Sequence, residues 1–219
     1  MKRLFFAETF GTAALLTVVI GSGIMGEQLA GGNVAIALLV NTIATVFGLY
    51  VLITTLGSVS GAHFNPVVSL VMCLRGQLSK RHTLLYWCAQ SIGAVLGAML
   101  AHAMFDLPVG QVSHHVRDGL NLFVSEIIAT AGLLFVILRF PSSQVAAGVA
   151  CYIGAAYLFT ASTSFANPAA VLGRMFTDTF SGIAPQSAGM FVVAQVIGAF
   201  LGWLLAKTLT ARHERGERD

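Results

Sequence analysis

The chain has 219 residues, of which 56% are hydrophobic and 10% are charged, and its mean hydropathy is +0.82. Because soluble domains carry about 25% charged residues, this composition excludes an ordinary water-soluble domain and indicates an integral membrane protein. The net charge of +3 is too small to indicate a nucleic-acid partner, and we expect no nucleic acid, cofactor or metal ion to be bound.

Six apolar stretches of roughly 20 residues predict six membrane-spanning helices. They cover residues 4–25, 34–55, 83–105, 120–140, 144–162 and 187–209. When these spans are threaded through a bilayer, the basic residues on one side are Lys2, Arg3, Arg75, Lys80, Arg81, Arg139, Lys207, Arg212, Arg215 and Arg218. Only Arg117 and Arg174 fall on the other side. The positive-inside rule therefore predicts a multi-pass protein of the inner (plasma) membrane, with both termini and the mixed-charge tail 211–219 in the cytoplasm.

An acidic residue lies near the start of the first and fourth spans. Glu8 precedes Thr12 by four residues, and Glu126 precedes Thr130 by four. Ionisable groups within a span are functional by default, for instance as parts of a proton relay.

Two Asn-Pro pairs stand where a polar segment gives way to an apolar run, in Asn65-Pro66-Val67 and Asn167-Pro168-Ala169. Asn is a favoured helix N-cap, and Pro fits the first helical position because its missing N–H would have been unpaired there. We therefore predict helix starts at both Asn residues, with each side-chain amide nitrogen free as a donor. The segments 60–74 and 164–176 are too short to cross a membrane and too apolar for a loop, which predicts two re-entrant half-helices meeting near mid-membrane.

An internal repeat runs through the chain. Residues 89–97 and 194–202 share the pattern Ala-Gln-x-Ile-Gly-Ala-x-Leu-Gly, and each predicted half contains three spans. An odd number of spans requires the second copy to be inserted upside down. We predict one transmembrane channel domain over residues 1–219, with inverted repeats of approximately 1–110 and 118–210. The glycine pairs of spans three and six, Gly93/Gly97 and Gly198/Gly202, predict close helix packing inside the bundle, with a dedicated subunit contact as the less expected alternative.

The cysteines and the central loop give weaker signals. Cys73, Cys88 and Cys151 stand singly in apolar segments, so buried free thiols are expected, with soft-metal ligation as the minor alternative. The loop 106–119 is predicted to be a solvated external connection. Its adjacent His114 and His115 leave metal binding or pH sensing as alternatives.

The paired Asn-Pro motifs, the lead-in Ser60-Gly61-Ala62-His63, the two Glu residues and the inverted repeat resemble the aquaporin and aquaglyceroporin (major intrinsic protein) family. The resemblance implies an all-α membrane protein with six transmembrane helices and two re-entrant half-helices. It also implies a homotetramer with a pore in each subunit, a channel and not an enzyme.

The resemblance further implies roles for individual residues. Asn65 and Asn167 would donate hydrogen bonds to a passing solute at mid-pore, and His63 would line the cytoplasmic half of the pore. Glu8 and Glu126 would have a structural role, each accepting hydrogen bonds from the backbone of a re-entrant loop. We favour that role over the proton relay.

The residues at the family's outer constriction depart from its usual pattern. Most members have Arg directly after Asn-Pro-Ala, where this chain has Ala170. Counting from the two Asn residues, the other constriction positions fall on Thr45, Ala155 and Ser164. All four side chains are small and uncharged, which predicts a wide pore for small uncharged solutes such as glycerol-like polyols, with water alongside. Val67, in place of the commoner Ala, is not expected to change this mechanism.

Arg174 complicates the prediction of a wide pore. It lies at i+4 from Ala170 and thus on the same helix face, from which it could enter the mouth as a displaced filter charge. Asp178 lies at i+4 from Arg174, and an ordinary exposed ion pair between the two is the expected arrangement. The displaced filter charge is the alternative, and it would favour a water-selective channel.

The segment 165–183 is also similar to bacterial members of the family that are associated with arsenic resistance and lack the filter Arg. That similarity suggests arsenous acid, an uncharged triol, as a substrate. We therefore expect passive permeation of polyols, metalloid hydroxides and water, with ions and protons excluded by the convergent helix N-termini. A secondary transporter is the less expected rival, since it would need a coupling-ion site.

Overall fold

A computed structural model describes the backbone of residues 1–216 and the side chains of residues 1–209. In this part of the chain there are eight α-helices and no strands, which confirms the predicted all-α class. The helices are α1 (Lys2–Leu29), α2 (Val34–Ser60), α3 (Pro66–Leu74), α4 (Lys80–Met104), α5 (Leu120–Arg139), α6 (Val145–Phe159), α7 (Pro168–Arg174) and α8 (Pro185–Gly216). The side chains of the predicted tail 211–219 lie outside the described residues.

Five helices, α1, α2, α4, α5 and α8, are long and apolar enough to cross a membrane. Between its two ends, a spanning helix pairs its backbone N–H and C=O groups internally, which is why apolar runs of this length become helical in lipid. The sixth span, α6, has only 15 residues and is shorter than the predicted 144–162. Its helix stops because Thr160 takes an extended conformation and the following residues turn into the second re-entrant loop.

The five long helices and α6 surround the two half-helices α3 and α7. Helix α1 packs against α2 and α4, and α5 packs against α6 and α8, while α2 and α6 join the two groups. The half-helices α3 and α7 contact each other and the surrounding helices α4 and α8. The order of long, long, short and long helices thus occurs twice. The repeat boundaries 1–110 and 118–210 stay a prediction.

Glycines permit the close packing of α4 on α1 and of α8 on α5. A Cβ atom at Gly93 or Gly97 would collide with the backbone of α1, and one at Gly198 or Gly202 would collide with the backbone of α5. The predicted packing inside the bundle is therefore confirmed. The expectation of buried thiols is wrong for Cys88 and Cys151, which are exposed on the outside of the bundle, and Cys73 is half-buried.

We predict that Gly198→Ala destabilises the protein, because the added methyl group would meet the carbonyl oxygen of Ile127 and push α8 away from α5. Overpacking of this kind costs about 1–3 kcal/mol. The matched control is Gly189→Ala on the same helix, where a Cβ would meet nothing within 4 Å. Thermal unfolding in detergent should show a lower midpoint for Gly198→Ala alone. Equal midpoints for the two variants would contradict the packing role.

Candidate functional site

The two Asn-Pro motifs start the half-helices as predicted. Asn65 caps α3 by accepting a hydrogen bond from the N–H of Val67 at 3.1 Å. Asn167 caps α7 by accepting from the N–H of Ala169 at 2.9 Å and of Ala170 at 3.4 Å. Both helix starts are confirmed, and in each the side-chain oxygen is committed to its own helix.

The amide nitrogens of the two Asn residues link the halves of the protein. The Asn65 nitrogen donates to the carbonyl oxygen of Ala166, and the Asn167 nitrogen donates to that of Phe64, each at 2.8 Å. The prediction of free nitrogens is therefore wrong for one N–H of each amide, because the opposite loop supplies an acceptor. An amide nitrogen carries two N–H groups, so one donor remains on each Asn.

Glu8 holds the first re-entrant loop in place. Its carboxylate accepts from the Ser60 hydroxyl at 2.6 Å, the His63 N–H at 3.0 Å, the Phe64 N–H at 2.8 Å and the Gln90 amide at 2.8 Å. The side chain is fully buried. These partners lie at the end of α2, in the loop that follows it and in α4, so the contacts favour the structural role over the proton relay.

Glu126 holds the second loop in the same way. It accepts from the Ser162 hydroxyl at 2.6 Å, the N–H groups of Phe165 and Ala166 at 2.9 Å, and the Gln195 amide at 2.7 Å. These four donors correspond one by one to those around Glu8. The duplication seen in the sequence therefore extends to the hydrogen bonds of the two loops.

The two loops also share an unusual backbone. Phe64 and Ala166, the residues before each Asn, have φ angles of +47°. Ala62 and Ser164, three residues before each Asn, have φ angles of +49° and +50°. L-residues other than Gly lose about 1–2 kcal/mol in this left-handed region. Hydrogen bonds from the Phe64 and Ala166 N–H groups to the carboxylates, and from the Ala62 and Ser164 N–H groups to the Ser60 and Ser162 hydroxyls, offset this strain.

A cavity of about 290 Å³ runs between the two loops. Both Asn65 and Asn167 line it, and His63 lines it as well. The apolar walls include Leu15, Val19, Leu49, Ile53, Leu133, Ile137, Val149 and Ile153. The cavity therefore has apolar sides from both halves and polar groups chiefly near the paired loops.

His63 is held at this cavity by its neighbours. Its Nδ1 atom lies 3.0 Å from the Ser69 hydroxyl, and its ring meets the Tyr86 ring edge-on at 5.2 Å between centroids. One ring nitrogen is thereby committed to Ser69, which fixes the orientation of the imidazole beside the first Asn-Pro motif.

Three of the four predicted constriction residues line the cavity, namely Thr45, Ser164 and Ala170. The hydroxyl of Ser164 does not face the cavity. Its oxygen is buried and has no hydrogen-bond partner in the described part of the chain. The fourth, Ala155, is exposed on the outside of the bundle. From α6 the cavity instead receives Tyr157, two residues further on.

The assignment of Ala155 to the constriction was wrong. Counting back from Asn167 crosses a loop, so it cannot determine which face of α6 points inward. Val149, Ile153 and Tyr157 recur every four residues and share the inner face, which excludes Ala155. The Tyr157 hydroxyl lies 3.5 Å from that of Thr45. The constriction is therefore bulkier on this side than the sequence predicted.

Arg174 also lines the cavity, and its side chain is 3% exposed. Its guanidinium carbon lies 3.4 Å from the centroid of the Phe165 ring, and its Nε–H donates to the carbonyl oxygen of Ser181. No carboxylate among residues 1–209 pairs with it, and its two terminal nitrogens have no hydrogen-bond acceptor within the same range. A buried guanidinium therefore faces the cavity with donors to spare.

The expected ion pair between Arg174 and Asp178 is wrong. Helix α7 ends at Arg174, so the i+4 spacing of a helix does not apply to Asp178. Asp178 instead accepts from the N–H of His114 at 2.8 Å, and its carboxylate lies 3.1 Å from the His114 ring and 3.8 Å from that of His115. These contacts hold the pKa of the Asp178 carboxyl below its ordinary value. They tie the loop 106–119 to the segment after α7. No cluster of three metal-ligating side chains occurs among the described residues.

Two capped half-helices that meet on a cavity inside a bundle of membrane-spanning helices define a membrane channel. The comparison with known families agrees with this class. The chain belongs to the major intrinsic protein family, whose sequence profile matches residues 1–144.

Named relatives and a solved structure support the same family. Aquaglyceroporin AqpS of Rhizobium meliloti (strain 1021) is 49% identical over 213 residues, which cover 94% of this chain and 91% of the relative. Aquaporin Z of Brucella melitensis is 31% identical and covers 97% of this chain and 100% of the relative. The X-ray structure of the aquaglyceroporin from Plasmodium falciparum shares the fold, with a TM-score of 0.70, 22% identity and coverage of 95% and 96% of the two chains.

We predict that Glu126→Gln destabilises the protein strongly. A Gln side chain has one oxygen and adds two N–H groups, so it would leave some of the four donors around Glu126 without an acceptor. Each stranded buried donor costs about 1–3 kcal/mol. The yield of folded protein and the thermal unfolding midpoint measure the effect. The control is Glu27→Gln, since Glu27 is exposed at the end of α1.

A proton relay through Glu126 would give the opposite pattern. The variant would then keep its thermal midpoint and lose only a proton conductance across liposomes. That outcome would overturn the structural role.

Proposed function

We propose that the protein is a passive channel for small uncharged solutes and water, and that it excludes ions and protons. The observation that carries this proposal is the position of the Asn side chains. Asn65 and Asn167 line one cavity of about 290 Å³, and each retains one amide N–H after its bond to the opposite loop.

The chemistry of the cavity suits a neutral hydroxylated solute. A hydroxyl oxygen can accept hydrogen bonds from the two spare Asn donors and so recover part of the hydration that it loses on entry. Apart from these donors, His63, Tyr157 and Arg174, the walls are largely apolar and offer little to hold the solute. Such a molecule therefore passes without being trapped, and its flux follows the concentration gradient.

The same cavity disfavours cations. The starts of α3 and α7 meet near the centre, and each helix N-terminus carries roughly half a positive charge. The walls supply few oxygen atoms to replace the hydration shell of an ion, and an uncompensated charge in apolar surroundings is very costly. Exclusion of ions and protons is thus part of the proposal.

The proposed solutes are glycerol-like polyols, arsenous acid and related metalloid hydroxides. Small side chains at Thr45, Ser164 and Ala170 support passage of molecules larger than water. The relative from Rhizobium meliloti is an aquaglyceroporin, which supports the polyol class. Arsenous acid fits as an uncharged triol with the same acceptor oxygens.

A second candidate function is water-selective permeation, and Tyr157 and Arg174 favour it. A phenol and a buried guanidinium line the cavity where the sequence predicted only small uncharged groups. Arg174 would then act as a filter charge displaced by one helical turn from Ala170. Polyol flux relative to water flux distinguishes the two candidates.

A secondary transporter is less well supported than a channel. It needs a site for a coupling ion, and the two intramembrane carboxylates, Glu8 and Glu126, already accept four hydrogen bonds each. The relatives named above are aquaporins and aquaglyceroporins, which supports a channel in place of an enzyme.

The channel is proposed to work as a homotetramer in the plasma membrane, with both termini in the cytoplasm. Large apolar side chains such as Phe47, Leu84 and Leu204 are exposed on the outside of the bundle, where lipid or a neighbouring subunit would cover them. The basic residues at one end of the bundle support the assigned orientation.

We predict that Ala170→Arg reduces glycerol and arsenite flux far more than water flux. The new side chain would enter the cavity that Ala170 lines and narrow it at the outer constriction. Stopped-flow light scattering on proteoliposomes, with water, glycerol and arsenite gradients, measures all three. Ala155→Leu is the control and should change none of them, because Ala155 lies outside the bundle. Equal loss of the three fluxes in Ala170→Arg would contradict a solute-selective constriction at this position.

We also predict that Arg174→Met raises the ratio of glycerol to water flux several-fold. Methionine keeps an apolar stem on the Phe165 ring and removes the guanidinium from the cavity. If Arg174 only anchors the segment at Ser181, the ratio stays unchanged and the thermal midpoint falls. A native protein that passes water but no glycerol would establish the second candidate function and contradict the first.

A further inference from the structure

A second cavity, of about 200 Å³, lies at one end of the bundle where α3, α5 and α8 meet. It is lined by Arg75, which caps α3, by Leu138 in the last turn of α5, and by Trp203, Ala206 and Lys207 of α8. Basic residues predict this end to face the cytoplasm. The cavity is therefore separate from the channel and lies at the edge of the membrane.

Among the described side chains, three groups at this cavity have hydrogen-bond donors and no acceptor. Arg75 and Lys207 are exposed, and neither pairs with a carboxylate in the range 1–209. The indole N–H of Trp203 has no acceptor within the same range, whereas that of Trp87 donates to the carbonyl oxygen of Pro66. Arg139, next to Leu138, adds another positive charge at this end.

The surroundings of the cavity are those of a lipid interface. Leu204 and Leu205 of α8 are 57% and 50% exposed and lie within three residues of Lys207. Trp and basic residues concentrate where a membrane protein meets lipid headgroups, the indole because it has an apolar ring and a polar N–H. Basic pockets between transmembrane helices on the cytoplasmic side suit anionic headgroups.

We propose that this cavity binds the phosphate of an anionic phospholipid, whose acyl chains lie along Leu204 and Leu205. Arg75 and Lys207 supply the charge, and the Trp203 N–H supplies a directed hydrogen bond to a phosphate or ester oxygen. Because Arg75 terminates the half-helix α3 and Lys207 belongs to α8, the bound lipid links a pore-forming element to the outer ring. The site is independent of which solutes pass through the channel.

The test compares lipid binding by two double variants of the full-length protein in detergent. Arg75→Gln with Lys207→Gln removes both charges from the cavity, whereas Lys80→Gln with Arg81→Gln removes the same charge from exposed residues at the start of α4 on the same side. Native mass spectrometry with phosphatidylglycerol measures affinity. We expect a loss of about fivefold for each cavity charge removed, which corresponds to about 1 kcal/mol per charge. Trp203→Phe, which keeps an aromatic ring and loses the N–H, should lower affinity more modestly.

Three results would overturn the proposal. Equal losses in the two double variants would mean that lipid binding reflects only the net charge of this side. Equal affinity of the native protein for phosphatidylcholine would mean that no anionic group is recognised. Displacement of the lipid by millimolar inorganic phosphate would assign the cavity to a free phosphate ion instead.

Discussion

The architecture depends on two reciprocal hydrogen bonds at the centre of the bundle. The side chain of Asn65 donates to the loop that precedes Asn167, and Asn167 donates to the loop that precedes Asn65. Each bond joins one half of the chain to the other at a buried side chain, where an unpaired amide would be costly. The two bonds fix the rotation of both side chains, so that the remaining N–H groups have defined positions beside the cavity.

The loops that carry these side chains are stabilised by buried carboxylates of the surrounding helices. Five residues of the two loops other than Gly have positive φ, including Phe64 and Ala166, and would strain an isolated peptide. Glu8 and Glu126 offset this strain by collecting four donors each, and they do so from α1 and α5, the first helices of the two halves. The loops that line the cavity are thus stabilised by Glu8 and Glu126, which do not line it themselves.

The features that could be predicted from the sequence are those that depend on local or repeated patterns. The helix starts at Asn65 and Asn167 follow from capping chemistry, and the helix packing follows from glycines at i, i+4. Contacts between distant segments were not predictable in the same way. The rotation of α6, which brings Tyr157 and not Ala155 inside, depends on a loop of irregular geometry. Likewise, α7 ends at Arg174. The i+4 spacing of a helix therefore does not reach Asp178, and the ion pair predicted from that spacing was wrong.

The reciprocal bonds have a consequence for the biogenesis of the protein. The first four helices leave the ribosome before residues 164–168 have been made, so Asn65 meets no carbonyl oxygen of the second half while the nascent chain is being inserted. The first loop can be anchored by Glu8 at that stage, but its Asn side chain still lacks the acceptor that orients it. Completion of the channel centre therefore has to follow the synthesis of the second half, whose loop supplies the acceptor for Asn65.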